Sequence, residues 1–240
     1  LGTGERMKKV KTGVDGLDKM LEGGLVTGRP YLVSGGPGAG KTILGMQFLF
    51  AGVAENEKSL YVSMEEKKEN LSQNMILFGW DVSKLRIIEA TPEIGNPLWE
   101  IKGGEAPFFD MTLSMQNLLK AIQSEIEEGV SRIVLDSLTS LKVLYTSSFE
   151  ARREMLALMH FLTDKRSTTL LLSETFMGGS EMESFLSDGV INLRILEDRG
   201  IKKRACEIQK MRGSSFDEQI RPMKITGHGI VVYPEENVFK

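Results

Sequence analysis

SGGPGAGKT, residues 34–42, decides the fold. Gly35, Gly36, Pro37, Gly38, Ala39, Gly40, Lys41 and Thr42 fill the pattern G-x-x-x-x-G-K-[ST]. Successive backbone N–H groups must turn inward around phosphate oxygens, and side chains would block that approach. A helix starting near Lys41 aims the positive end of its dipole at the same anion. Lys41 supplies charge to the outer phosphates, and Thr42 offers a hydroxyl to Mg²⁺. Ile43 follows as the first apolar residue of that helix and joins the expected nucleotide-contacting set.

The flanks agree with this reading. PYLVSG (30–35) reads as a strand entering the loop, and KTILGMQFLFAGVA (41–54) as a buried helix leaving it. SLYVSM (59–64) is the next strand, KENLSQNMILFGW (68–80) the next helix and RIIEA (86–90) a short strand. Residues 111–129 and 150–166 have helical periodicity, whereas RIVLDS (132–137) and TTLLLSE (168–174) are short apolar strands. Upstream, Thr12 is placed to cap a short helix over VDGLDKML (14–21). MGGSEMES (177–184) reads as a mobile loop. GVINLRIL and RACEIQKMR, separated by DRG, read as a hairpin, and QIRPMKIT and GIVVYP have β character. Repeated β-α-β units predict an α/β fold of the P-loop NTPase kind: a mostly parallel sheet flanked by helices, with antiparallel strands at the C-terminus. Residues 1–9 read as an extension or expression remnant, with Met7 a candidate start, and 10–240 as one domain.

Composition sets outer bounds. The 240 residues are 41% hydrophobic and 26% charged, with a formal net charge of −3, which does not suggest a nucleic-acid coat. Cys206 is the single cysteine, so no intrachain disulfide forms. Without a signal peptide or an apolar run of membrane-spanning length, the expected location is the cytoplasm. His160 and His228 lack metal-ligand spacing, so no zinc is expected.

Five more residues carry chemistry. Asp136 ends RIVLD, where an acid associated with Mg²⁺ is expected beside a P-loop. Glu65 and Glu66 end the strand SLYVSM, and hydrolysis needs a carboxylate that orients and deprotonates water. Neighbouring strand residues face opposite sides, so both reach one water only if the backbone turns there. Lys210 and Arg212 are i and i+2 on a strand and share a face, either as a phosphate clamp or as a basic edge. The stretch 91–109 offers Trp99, Phe108 and Phe109 as anchors for a partner, although a cap on the core edge is the plainer reading.

The order TGVDGLDKML–EGGL, SGGPGAGKT, SMEE, FGWD, RIVLDS, SDGVINL, KMRGSS and T-x-H-G-I resembles a KaiC domain, a RecA-like ATPase of the RecA/DnaB superfamily. The resemblance runs from about Val10 to Pro234. It implies a homo-oligomeric ring, usually a hexamer, with ATP or ADP between neighbours. Glu65 and Glu66 match the family's catalytic glutamates, and Lys210 and Arg212 match the cations that reach a neighbour's γ-phosphate. Ser214 of KMRGSS joins the nucleotide-binding set. Members with two tandem domains carry a phosphorylated Ser-Thr pair in the second, and here the tract is Ser184-Phe185 in a single domain. The expectation is a ring-forming regulatory ATPase acting on a protein partner. The alternatives are a nucleic-acid-dependent motor and a weak autokinase at Ser184. The tract 177–184 contains no Lys or Arg, which argues against nucleic acid as a partner.

Overall fold

The computed structural model describes residues 7–93, 95–102, 108–174, 181–198 and 200–238. It opens with β1 (Lys9–Val10), α1 (Asp15–Met20) and β2 (Leu25–Val26), which pairs antiparallel with β1. Then follow β3 (Pro30–Gly35), α2 (Lys41–Ala54), β4 (Lys58–Ser63), α3 (Lys68–Ile76) and β5 (Arg86–Glu89). The short strands β6 (Ile101–Lys102) and β7 (Phe108–Phe109) form their own ladder ahead of α4 (Met111–Glu127). Next come β8 (Val130–Asp136), α5 (Leu138–Lys142), α6 (Ser148–Asp164), β9 (Thr168–Glu174) and α7 (Glu181–Leu186). β10 (Gly189–Asp198), β11 (Ile201–Met211), β12 (Arg221–Thr226) and β13 (Gly229–Val232) complete the order.

Nine of these strands make one sheet in the order β13-β12-β11-β10-β3-β9-β8-β4-β5. From β10 to β5 the neighbours run parallel, and from β10 to β13 they alternate in direction. The strands feed two apolar layers because their side chains alternate. Tyr31, Val33, Leu170 and Leu172 face α2, whose Leu44, Met46, Phe48 and Leu49 are buried against them. Leu32, Ile133, Leu135 and Leu171 face the other way, onto Met115 and Leu118 of α4 and Met155 and Leu158 of α6. Sheet and helices thus exclude water from both faces, the arrangement that continuous apolar strands require. β3 lies between β10 and β9, so the glycine loop leaves from the middle of the sheet. Among the described residues no helix is long and apolar enough to cross a membrane.

Three local expectations are corrected. α3 stops at Ile76 rather than Trp80, because Phe78 and Trp80 turn back and stack, the Trp80 ring 5.6 Å from that of Phe50. Thr12 does not cap α1, which starts after Val14; its N–H and hydroxyl both donate to Oδ1 of buried Asp18, at 2.8 and 2.9 Å. Glu181–Ser184 are helical, not loop, and the rest of the expected loop, residues 177–180, lies outside the described residues. Trp99 caps the core edge: its ring meets Phe109 edge-on and its indole N–H donates to Ala90 O at 3.1 Å.

Candidate functional site

The glycine loop is shaped by contacts on one side and left open on the other. A Cβ on Gly35 would stand 2.6 Å from Leu193 O, so only glycine lets β3 and β10 close there. Gly40 caps α2 at φ +108°, a backbone conformation open to glycine. At Gly36 and Gly38 a Cβ would meet nothing within 4 Å, so open space borders the loop, as an approach by phosphate oxygens requires. Ala39 is buried, Pro37 is exposed, and Ile43 packs half-buried on the core. Lys41 Nζ arches back to donate to Gly35 O and Gly36 O at 2.9 and 3.3 Å.

Asp136 ends β8 directly beside Ser63, the last residue of β4. Its Oδ2 accepts from Thr42 Oγ1 and from the Tyr61 hydroxyl, both at 2.7 Å. Burial pushes the Asp136 carboxyl above its ordinary range, and the Thr42 and Tyr61 hydrogen bonds pull it back. Burial, and next the Asp136 charge, raises the Tyr61 hydroxyl well above an ordinary tyrosine. A hydroxyl and a carboxylate in contact at the edge of a phosphate cradle fit Mg²⁺, a hard cation that takes few protein oxygens and keeps water and phosphate as its other ligands.

Glu65 and Glu66 lie where the chain bends after β4, so the backbone does turn there. Their side chains then part. Glu65 Oε1 accepts from Ser137 Oγ at 2.5 Å and Ser140 Oγ at 2.6 Å, at the start of α5. Glu66 Oε2 accepts from Asn74 of α3 at 3.3 Å, and its carbonyl accepts from Ser63 Oγ at 2.5 Å. Glu65 is therefore tied to the residue that follows Asp136, and Glu66 to the opposite flank.

Lys210 and Arg212 share one side, as their spacing implies, and converge on the end of α7. Lys210 Nζ donates to Ser184 O at 2.7 Å, Phe185 O at 3.2 Å and Ser187 O at 2.7 Å. Arg212 Nη2 donates to Phe185 O at 3.1 Å. Met211 pairs with Gly189, and Gly189 pairs with Tyr31 at the start of β3, whereas the loop departs from Gly35, opposite Leu193. Four residues of strand separate the two levels, roughly 13 Å. A trough of about 1040 Å³ spans that length, with Gly35 and Gly36 lining it toward the loop and Lys210 and Arg212 toward α7. Ser214 is drawn elsewhere: its hydroxyl accepts from Lys9 Nζ at 2.7 Å and donates to Ser215 O at 3.0 Å.

Sequence reasoning missed four participants. Ser137 and Ser140 carry a detectable signal, a serine N-cap with a second hydroxyl one turn on, directly after Asp136. Tyr61 signals itself only as a tyrosine in an apolar strand. Arg204 carries no signal: its Nε and Nη2 reach Gly38 O at 3.3 and 3.2 Å from 166 residues away.

Comparison with known proteins agrees with this geometry. A family model described as "ATPase: KaiC" matches residues 10–237. A UPF0273 protein of Thermotoga maritima is 35% identical over 242 residues, covering 96% of this chain and 98% of its own. The circadian clock oscillator protein KaiC of Synechococcus elongatus is 33% identical over 242 residues, and the match spans 45% of its length. The crystal structure of a KaiC-like protein from Pyrococcus horikoshii superposes with a TM-score of 0.80 at 29% identity, over 95% of this chain and all of that one. With a RecA-like sheet, a phosphate-shaped glycine loop and a family match over nearly its whole length, the chain belongs to the KaiC ATPase family.

Proposed function

We propose that residues 10–240 act as one domain that binds ATP with Mg²⁺ and hydrolyses it in a homo-oligomeric ring, each site shared between neighbours. The loop N–H groups and Lys41 hold the outer phosphates. Thr42 and Asp136 would hold Mg²⁺, which would supply positive charge to the phosphates. Glu65, fixed by Ser137 and Ser140, takes the proton of the attacking water as its oxygen bonds to the γ-phosphorus, and ADP leaves. Glu66 assists from the other flank. Lys210 and Arg212 of the adjacent chain stabilise the charge that develops, a contribution of about 10³–10⁵ in rate for cations of this kind.

One observation carries the shared site. Lys210 and Arg212 stand at the end of β11 that lies level with the start of β3, and they make no hydrogen bond to the glycine loop of their own chain. Cations placed there serve a neighbour better than their own phosphate site.

ATP turnover tests the reading. Chains carrying Glu65→Gln/Glu66→Gln and chains carrying Arg212→Ala are each expected to be poor ATPases, and mixing them is expected to restore turnover. No recovery in the mixture, with wild-type active, rejects the shared site. Strong stimulation by single-stranded DNA would reassign the chain to nucleic-acid motors. Phosphate labelling that disappears in Ser184→Ala would add autokinase activity.

A further inference from the structure

An ion pair links the two halves of this machinery. α5 holds Glu65 at its N-terminus through Ser137 and Ser140, and carries Lys142 at its C-terminus. Lys142 Nζ lies 2.5 Å from Glu183 Oε1 in α7. Glu183 is 1% exposed, and neither of its oxygens makes a directed hydrogen bond with a described residue, so its charge rests on Lys142. α7 then presents the carbonyls of Ser184 and Phe185 to Lys210 and Arg212. Both helices are short, five and six residues, and a single turn has little stability of its own. Their placement therefore depends on ties to their surroundings.

We propose that Lys142 and Glu183 are a positioning pair. They hold α7 against α5 and so set where Lys210 and Arg212 stand relative to the glutamate of the same chain. Resting on the shared-site reading, the inference makes this pair the link between a chain's own hydrolytic site and the cations it lends to its neighbour. A stability role alone predicts otherwise, because a buried ion pair replaced by apolar residues of similar size is often neutral for stability.

Subunit mixing separates the two roles. The reference mixture contains Glu65→Gln/Glu66→Gln chains, which lend cations, and Arg212→Ala chains, which supply the working site. In the test mixture the lending chains also carry Lys142→Met/Glu183→Leu, or Glu183→Gln alone should the double variant fail to fold. ATP affinity and native mass are followed alongside turnover. Turnover about fivefold or more below the reference, with both other readouts unchanged, is the expected result. Equal turnover overturns the positioning role and leaves the shared site intact. A silent reference mixture, with wild-type active, rejects the shared site and the positioning role with it.

Discussion

The hydroxyl of Tyr61 and that of Thr42 donate to the same oxygen of Asp136, each at 2.7 Å. Tyr61 thus fixes the carboxylate from the sheet side while Thr42 meets it from the phosphate side. Tyr61→Phe keeps the ring and removes only the donor. The Mg²⁺ concentration that gives half-maximal ATP turnover is expected to rise about tenfold or more, as when an outer partner of a metal ligand is lost. Turnover at saturating Mg²⁺ and the native mass should change little. An unaltered Mg²⁺ titration would show that Asp136 needs no help from Tyr61.

Burial, and next the charge of Arg212, lowers the pKa of Lys210 below that of an ordinary lysine, while Asp188 opposes the shift. A lowered pKa means the ammonium loses its proton at a lower pH. The alkaline limb of the ATPase profile is therefore expected to begin below the usual lysine range. Lys210→Arg replaces the group with a guanidinium that stays charged, so the limb should move to higher pH. A limb that does not move would assign it to another residue.

Nucleotide binding should register in thermal unfolding. At an ATP concentration about 100 times the dissociation constant, a ligand that binds only the folded chain adds about 2.7 kcal/mol of stability. For a chain of this size that raises the melting temperature by roughly 5–11 °C. Lys41→Ala is expected to abolish most of the rise while leaving the ATP-free melting temperature near that of wild-type.

Gly52→Ala tests packing against propensity. Alanine favours an exposed helix interior by about 1 kcal/mol over glycine. At Gly52, however, the new methyl would stand 2.6 Å from Cδ and 2.7 Å from Nε of Arg132. Arg132 is fully buried and held by Glu57, Lys11 O and Phe48 O, so it cannot yield cheaply. Overpacking of this kind costs about 1–3 kcal/mol. The expected net effect is about 0–2 kcal/mol of lost stability, a melting temperature lower by up to about 8 °C, and a rise would show that Arg132 moves aside.

The parts of the site legible in the sequence are those encoded locally. The glycine loop, its strand and its helix form one contiguous run, and Asp136 ends an apolar strand. The shared face of Lys210 and Arg212 follows from a period of two. What they hold is not local: the carbonyls at the end of α7 and just beyond it lie 23–27 residues away in sequence. α7 itself was hidden because six residues are too few to show a helical period. The Thr12 cap failed for a related reason, since the local pattern was sound but buried Asp18 needed donors more. Glu65 and Glu66 left the choice of base open, and only the tertiary positions of Ser137 and Asn74 separate their surroundings.

The central place of β3 has a consequence for the order in which the protein is made. Its two neighbours are β9 and β10, and Pro30 pairs with Thr169. The ~140 intervening residues take roughly 7–30 s to emerge from a ribosome. Throughout that interval the glycine loop exists as sequence but lacks the strands that hold it open. The glycine loop and the strands that complete its surroundings are thus about 140 residues apart in order of synthesis, so a nascent chain gains nothing from nucleotide until β9 and β10 have emerged.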